Sequence, residues 1–134
     1  AIETVRAGYA KRIDKDGQVF SRIHVDDIVQ TLIASINAPN PGEIYNVSDD
    51  LPATSHEVIA YACQLLGIEP PELMSWEEAD LSPMAASFYK ENKRVRNTKI
   101  KEDLSVVLKY PTYRDGLKAI LEEQGVKPFA KKGL

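Results

Sequence analysis

The sequence predicts an α/β fold with few strands, a hairpin plus one or two more, and about five to six helices. Two observations give the α/β class. The β-branched and aromatic run VFSRIHV passes at Asp26-Asp27 straight into a helical apolar stripe, and the extended run EIYNVSD is followed by a capped helix. A third observation sets the proportions: beyond residue 80 the chain reads almost entirely as helix.

Taken in order, Ile2, Val5 and Tyr9 recur at helical spacing and open the chain with a short helix. Asp14-Lys15-Asp16-Gly17 is a turn between KRI and QVFSRIHV, which suggests a hairpin. A calcium loop is excluded there. With Gly17 as the loop glycine, Arg12 would be the first ligand and Ile23 the twelfth. Asp26 and Asp27 read as helix caps ahead of the stripe Ile28, Val29, Leu32, Ile33 and Ile36. With His24 they offer a metal site instead, but no third ligand stands at a diagnostic spacing.

NAPNPG is a turn, and residues 43–49 form the next strand. Thr54-Ser55-His56-Glu57 is a capping box, which makes His56 a solvated first-turn residue. The helix behind it carries Val58, Ile59, Ala62, Cys63, Leu65 and Leu66 on its apolar side and stops at Gly67. Cys63 on that face reads as a core residue. Pro70-Pro71 is a break, LMSW a short strand, and Ser82-Pro83 a helix start. Met84, Phe88 and Tyr89 are the apolar anchors of that segment. A basic run follows, from Lys90 to Lys101. Asn97 or Thr98 caps a helix through Leu104, and Thr112 caps the last one, with Leu117, Ile120 and Leu121 facing inward. Gly116 inside that helix costs about 1 kcal/mol against alanine, so it points to close packing. Residues 1–124 read as one lobe and residues 125–134 as a flexible tail.

Composition narrows the function classes. The chain has 134 residues, 43% apolar, with 17 basic against 20 acidic side chains. That suits a globular core and gives no reason to expect a nucleic-acid partner. A single cysteine excludes a disulfide framework and favours a reducing, cytoplasmic setting. No apolar run approaches the roughly 20 residues of a membrane span, so no membrane partner is expected. The chain opens without methionine, apparently in mid-helix, and IYNV needs sheet neighbours that the sequence does not supply. A larger parent is therefore expected.

The run RIHVDDIVQTLIASI, then GEIYNVSDD, then NKRVRNTKIKEDL and YPTYRDGL, resembles the C-terminal half of extended short-chain dehydrogenases/reductases. It looks most like the atypical NAD-dependent epimerase/dehydratase-like members. Each motif is short; their shared order over residues 1–124 carries the resemblance. It implies a substrate-binding lobe whose partner, an N-terminal Rossmann domain, is missing from this chain. That domain would hold NAD or NADP on a Gly-rich turn, so no cofactor is expected on this chain alone. The seven glycines are scattered and form no G-x-G-x-x-G. The family's catalytic Tyr-x-x-x-Lys lies upstream of the matched region, so no catalytic residue is assigned here.

Tyr89 and Lys93 repeat that spacing in the wrong place. On a helix they would share a face, and they are taken as substrate-side residues with Arg22 and Arg94. Related sugar-nucleotide epimerases carry an arginine where this chain has Phe20. Arg22, two residues on, returns to the same strand face. Guanidinium groups suit phosphate or carboxylate, which implies a small or sugar-like anionic substrate. Two other functions fit the residues. One is a stand-alone module binding an acidic partner through residues 90–101; the other is a remnant that forms a homodimer.

Overall fold

The computed structural model describes residues 1–129. Its elements are α1 (Ile2–Arg6), β1 (Arg12–Asp14), α2 (Val25–Asn37), α3 (Ser55–Leu66), β2 (Leu73–Ser75), α4 (Pro83–Ser87), α5 (Thr98–Leu104) and α6 (Tyr113–Glu123). The fold is α/β, with six helices and a two-stranded sheet among the described residues.

The expected hairpin does not form. The turn is present, with Gly17 at φ 72° and the Gln18 N–H bonded to the Lys15 carbonyl. But β1 pairs in parallel with β2, Ile13 opposite Met74, and the chain crosses over through α2 and α3. Residues 18–24 run on in another direction. Phe20 makes a single antiparallel bridge to Ala53, and the Asp49 N–H reaches the Arg22 carbonyl at 2.6 Å. Further bonds hold this segment to residues 91–95: the Val19 N–H to Asn92 Oδ1, Asn92 Nδ2 to the Gly17 carbonyl, and Ser21 Oγ to the Lys93 carbonyl. Side chains here replace a ladder. Residues 43–49 likewise form no strand, because no neighbouring strand lies alongside them among the described residues.

Two apolar clusters hold the lobe. In the larger, Ile2 and Val5 of α1 meet Ala62 and Leu65 of α3 and Leu117 and Leu121 of α6. Cys63 belongs to it, fully buried, and burial pushes its thiol pKa up. The smaller cluster joins Ile100 and Leu104 to Val106 and Leu108. The capping boxes at Thr54/Glu57 and Thr112/Asp115 are both closed, and Gly67 ends α3 at φ 68°. Ser82 caps α4, but that helix stops at Ser87, and Met84 and Phe88 stand 76% and 66% exposed rather than anchoring it. His56 is half-buried beside the Ile13 carbonyl, not solvated. Beyond α6, Val126 packs on the larger cluster and the Phe129 N–H bonds to the Leu65 carbonyl. The remainder of the expected tail, residues 130–134, lies outside the described residues.

α2 faces the opposite way from the usual amphipathic helix. Its buried positions are Asp27 and Thr31. Its apolar stripe points outward: Leu32, Ile33 and Ile36 are 60%, 53% and 74% exposed. The cap is not an aspartate either. His24 is the N-cap, its Nδ1 accepting the Asp26 N–H at 3.0 Å. Asp27 instead serves a distant segment. Its carboxylate accepts the backbone N–H groups of Lys109 and Tyr110 at 2.8 and 2.9 Å, and the Gln30 amide also donates to it.

Two stability predictions follow from these bonds. Asp27→Ala leaves two buried N–H groups without acceptors and should lower stability by about 3 kcal/mol in urea unfolding. Asp27→Asn should also destabilise, because its NH₂ would face an N–H, whereas Asp26→Asn at the exposed neighbour should change little. Ser105 closes α5 at φ 55°, a conformation that penalises side chains. Ser105→Gly should therefore raise stability by about 0.5–1 kcal/mol in the same assay.

Candidate functional site

A cleft of about 330 Å³ opens between α1, residues 22–24, α3 and α6. Its walls are apolar: Ile23, Val58 and Ile59 on one side, Leu117 and Ile120 on the other. Its polar end is made by Arg22, His24, Asp49, Ser55 and Thr112. Local structure explains how these meet. The Phe20–Ala53 bridge and the Asp49-to-Arg22 bond bring residues 20–22 beside residues 49–53. Ser55 and Thr112 sit at the starts of α3 and α6. α6 packs close to His24 at Gly116, where a Cβ would stand 3.4 Å from His24 Cδ2, in ordinary van der Waals contact.

Arg22 is half-buried. One guanidinium nitrogen donates to the Phe20 and Ala53 carbonyls at 3.1 and 2.9 Å. Burial lowers its pKa, and the nearby Asp49 charge acts in the opposite sense. Asp49 is buried, which pushes its carboxyl pKa up against the Leu51 N–H that it accepts and the Arg22 charge. No carboxylate makes an ion pair with Arg22 among the described residues. The His24 side chain is 5% exposed and its ring lies against Tyr110. Since Nδ1 accepts from Asp26, the neutral ring carries its proton on Nε2, and Nε2 has no protein partner among the described residues.

The structure places the four expected site residues differently from one another. Arg22 lines the cleft. Tyr89 does not line it but touches its Ser55: the Tyr89 hydroxyl lies 2.8 Å from Ser55 Oγ, its ring meets Phe20 edge-on and leans on Trp76, and Lys15 donates to its carbonyl. Lys93 is outside, exposed and paired with Glu91 at 2.5 Å, where its hydrogen bond holds the Glu91 carboxyl below its usual range. It lines a separate groove with Phe20 and Phe88. Arg94 is exposed and borders neither. Residues 89–93 are not helical, so Tyr89 and Lys93 share no helix face. His24, Asp49, Ser55 and Thr112 were not legible as site residues, because they are spread along the chain with no diagnostic spacing.

Each helix among the described residues is capped by Ala1, His24, Thr54, Ser82, Asn97 or Thr112, so none opens on a Gly-rich pyrophosphate turn. No group of three His, Cys, Asp or Glu side chains among them could hold a metal ion. No helix among them is long and apolar enough to cross a membrane.

No protein-family profile and no curated protein matches the sequence. Solved structures do. A functionally unknown conserved protein from Silicibacter pomeroyi DSS is 56% identical, with a TM-score of 0.83 over 86% of this chain. Human epimerase family protein SDR39U1, solved with NADPH, is 20% identical at TM-score 0.72 over 90% of this chain. dTDP-glucose 4,6-dehydratase from Bacillus anthracis, solved with NAD, is 20% identical at TM-score 0.66 over 92%. The chain spans 42%, 41% and 37% of the lengths of these three proteins. At these identities the human and Bacillus structures establish likeness of fold alone: the chain has the α/β architecture of part of these Rossmann-like proteins.

Proposed function

We propose that this chain is the substrate-side lobe of an NAD(P)-dependent enzyme of the epimerase/dehydratase or reductase type. A nucleotide-binding Rossmann half would supply the cofactor and the catalytic groups and would seat on the outward face of α2. The observation that carries this reading is that face. Burying a Leu or Ile side chain contributes about 1.5–3 kcal/mol, yet α2 turns Leu32, Ile33 and Ile36 outward and buries a carboxylate instead. Exposed apolar surface in one stripe marks a surface that meets another body. Ile44, 78% exposed at the start of the unpaired 43–49 segment, extends the apolar surface that this chain leaves uncovered. Partial coverage of relatives solved with NADPH and NAD supports the same reading. Arg22 would meet the anionic part of the substrate and Tyr89 would shape the cleft edge through Ser55, while Lys93 and Arg94, outside the cleft, would take no part in this chain's own site. The lobe alone would not turn over.

Half of the cations in the basic segment are neutralised within this chain, which weakens the case for an acidic partner. Lys93, Lys99 and Lys101 are matched by Glu91, Glu43 and Asp50 of this same chain. A second copy on the α2 face is the competing occupant, and sedimentation separates the two. The chain should sediment as a monomer, enhance the fluorescence of a hydrophobic dye, and leave NADPH fluorescence unchanged. The double variant Leu32→Glu/Ile36→Glu should lose most of the dye signal while its thermal midpoint stays within about 2 °C, since these side chains leave the core untouched. A dimer that the double variant dissociates would replace the lobe reading with the homodimer. A monomer without dye binding would remove both.

A further inference from the structure

The cleft itself points to a narrower substrate class. We infer that it binds a small molecule with a branched apolar body and a single carboxylate head, rather than a nucleotide diphosphate. This rests on the substrate-lobe reading and deepens it. The charge balance at the polar end carries the inference. Arg22 is a half-buried cation whose recorded bonds go only to neutral carbonyls. Asp49 is near enough to act on that charge but makes no ion pair with it, and a half-buried cation without a paired counter-ion is costly, a cost that an incoming anion relieves. Beside it stands the His24 ring, 5% exposed, with its Nε2–H unmatched among the described residues. A guanidinium and an imidazole N–H at one end of a pocket together suit one planar carboxylate.

Two observations argue against a diphosphate. Lys93 and Arg94 lie outside the cleft, so its lining sets Arg22 and the Ala1 amine against Asp49, a balance that suits one negative charge and leaves a second unmatched. Asp49 also borders the polar end and repels excess negative charge. The remaining walls are mostly apolar, from Ile23, Val58, Ile59, Leu117 and Ile120, with Thr4 and Tyr113 beside them. A volume of about 330 Å³ sits at the small end of ligand pockets.

The test titrates 4-methylpentanoate, its neutral analogue 4-methylpentanol, and UDP into the 134-residue chain, followed by amide chemical shifts. 4-Methylpentanoate should bind saturably and shift the amides of residues 22–24, 55 and 112–113. It should bind at least about tenfold more tightly than either other probe, the margin expected of one charge-assisted contact. Arg22→Gln keeps a donor for the Phe20 and Ala53 carbonyls but removes the charge. It should weaken the carboxylate at least tenfold and leave the alcohol unchanged. Ile59→Trp fills the apolar wall and should weaken both, with all charges in place. Tighter binding of UDP at these residues would overturn the carboxylate assignment while leaving the lobe reading intact. Lack of saturable carboxylate binding, or binding that Arg22→Gln does not weaken, would overturn it too. The dye and sedimentation results on α2 do not depend on either outcome.

Discussion

A fully buried carboxylate at the start of α2 ties the second half of the chain to the first. Asp27 accepts the backbone N–H groups of Lys109 and Tyr110, donors more than eighty positions along the chain. That bond set fixes the loop in front of α6. The Asp50 N–H bonded to the Pro111 carbonyl and the Tyr110 ring against His24 hold the same loop from other directions. Thr112 then caps α6 where Leu117 and Leu121 reach the α3 core. The cleft between α3 and α6 therefore takes its shape from an interaction on the far side of His24. The same burial decides which way α2 faces. A helix that must point Asp27 and Thr31 inward must point Leu32 and Ile36 out, since these positions lie on opposite sides at 3.6 residues per turn.

The segment between β1 and α2 shows a second way of holding a chain without a sheet. Residues 17–21 exchange bonds with residues 91–95 through Gln18, Ser21 and Asn92 side chains. Much of the run that reads as a basic surface is therefore a strap. Its backbone supports the extended segment that carries Arg22, and one of its lysines is matched by a neighbouring glutamate. Tyr89 closes the strap over Phe20 and Trp76 and hands its hydroxyl to Ser55. It reaches the cleft through Ser55.

Local rules made much of this lobe legible in the sequence. The Thr54 and Thr112 capping boxes, the Gly67 stop and the Ser82-Pro83 start all rest on contacts within four residues, and all stand where the residues put them. Non-local choices were not legible. RID pairs with LMS across some sixty residues rather than with the run beside it, and no turn signal encodes that. Periodicity identified the α2 stripe but does not say what covers a stripe. The site divides the same way. Arg22 was recognisable by residue type, whereas His24, Asp49 and Ser55 converge only after folding.

The claim on which the account turns is that the α2 face is open in this chain and awaits another body. Methyl-resolved NMR with a soluble paramagnetic probe measures it directly. The account predicts strong broadening of the Leu32, Ile33 and Ile36 methyls, with those of Leu117 and Leu121 spared. Protection of the α2 methyls in the monomeric chain would contradict it, because the lobe would then already cover its own apolar face.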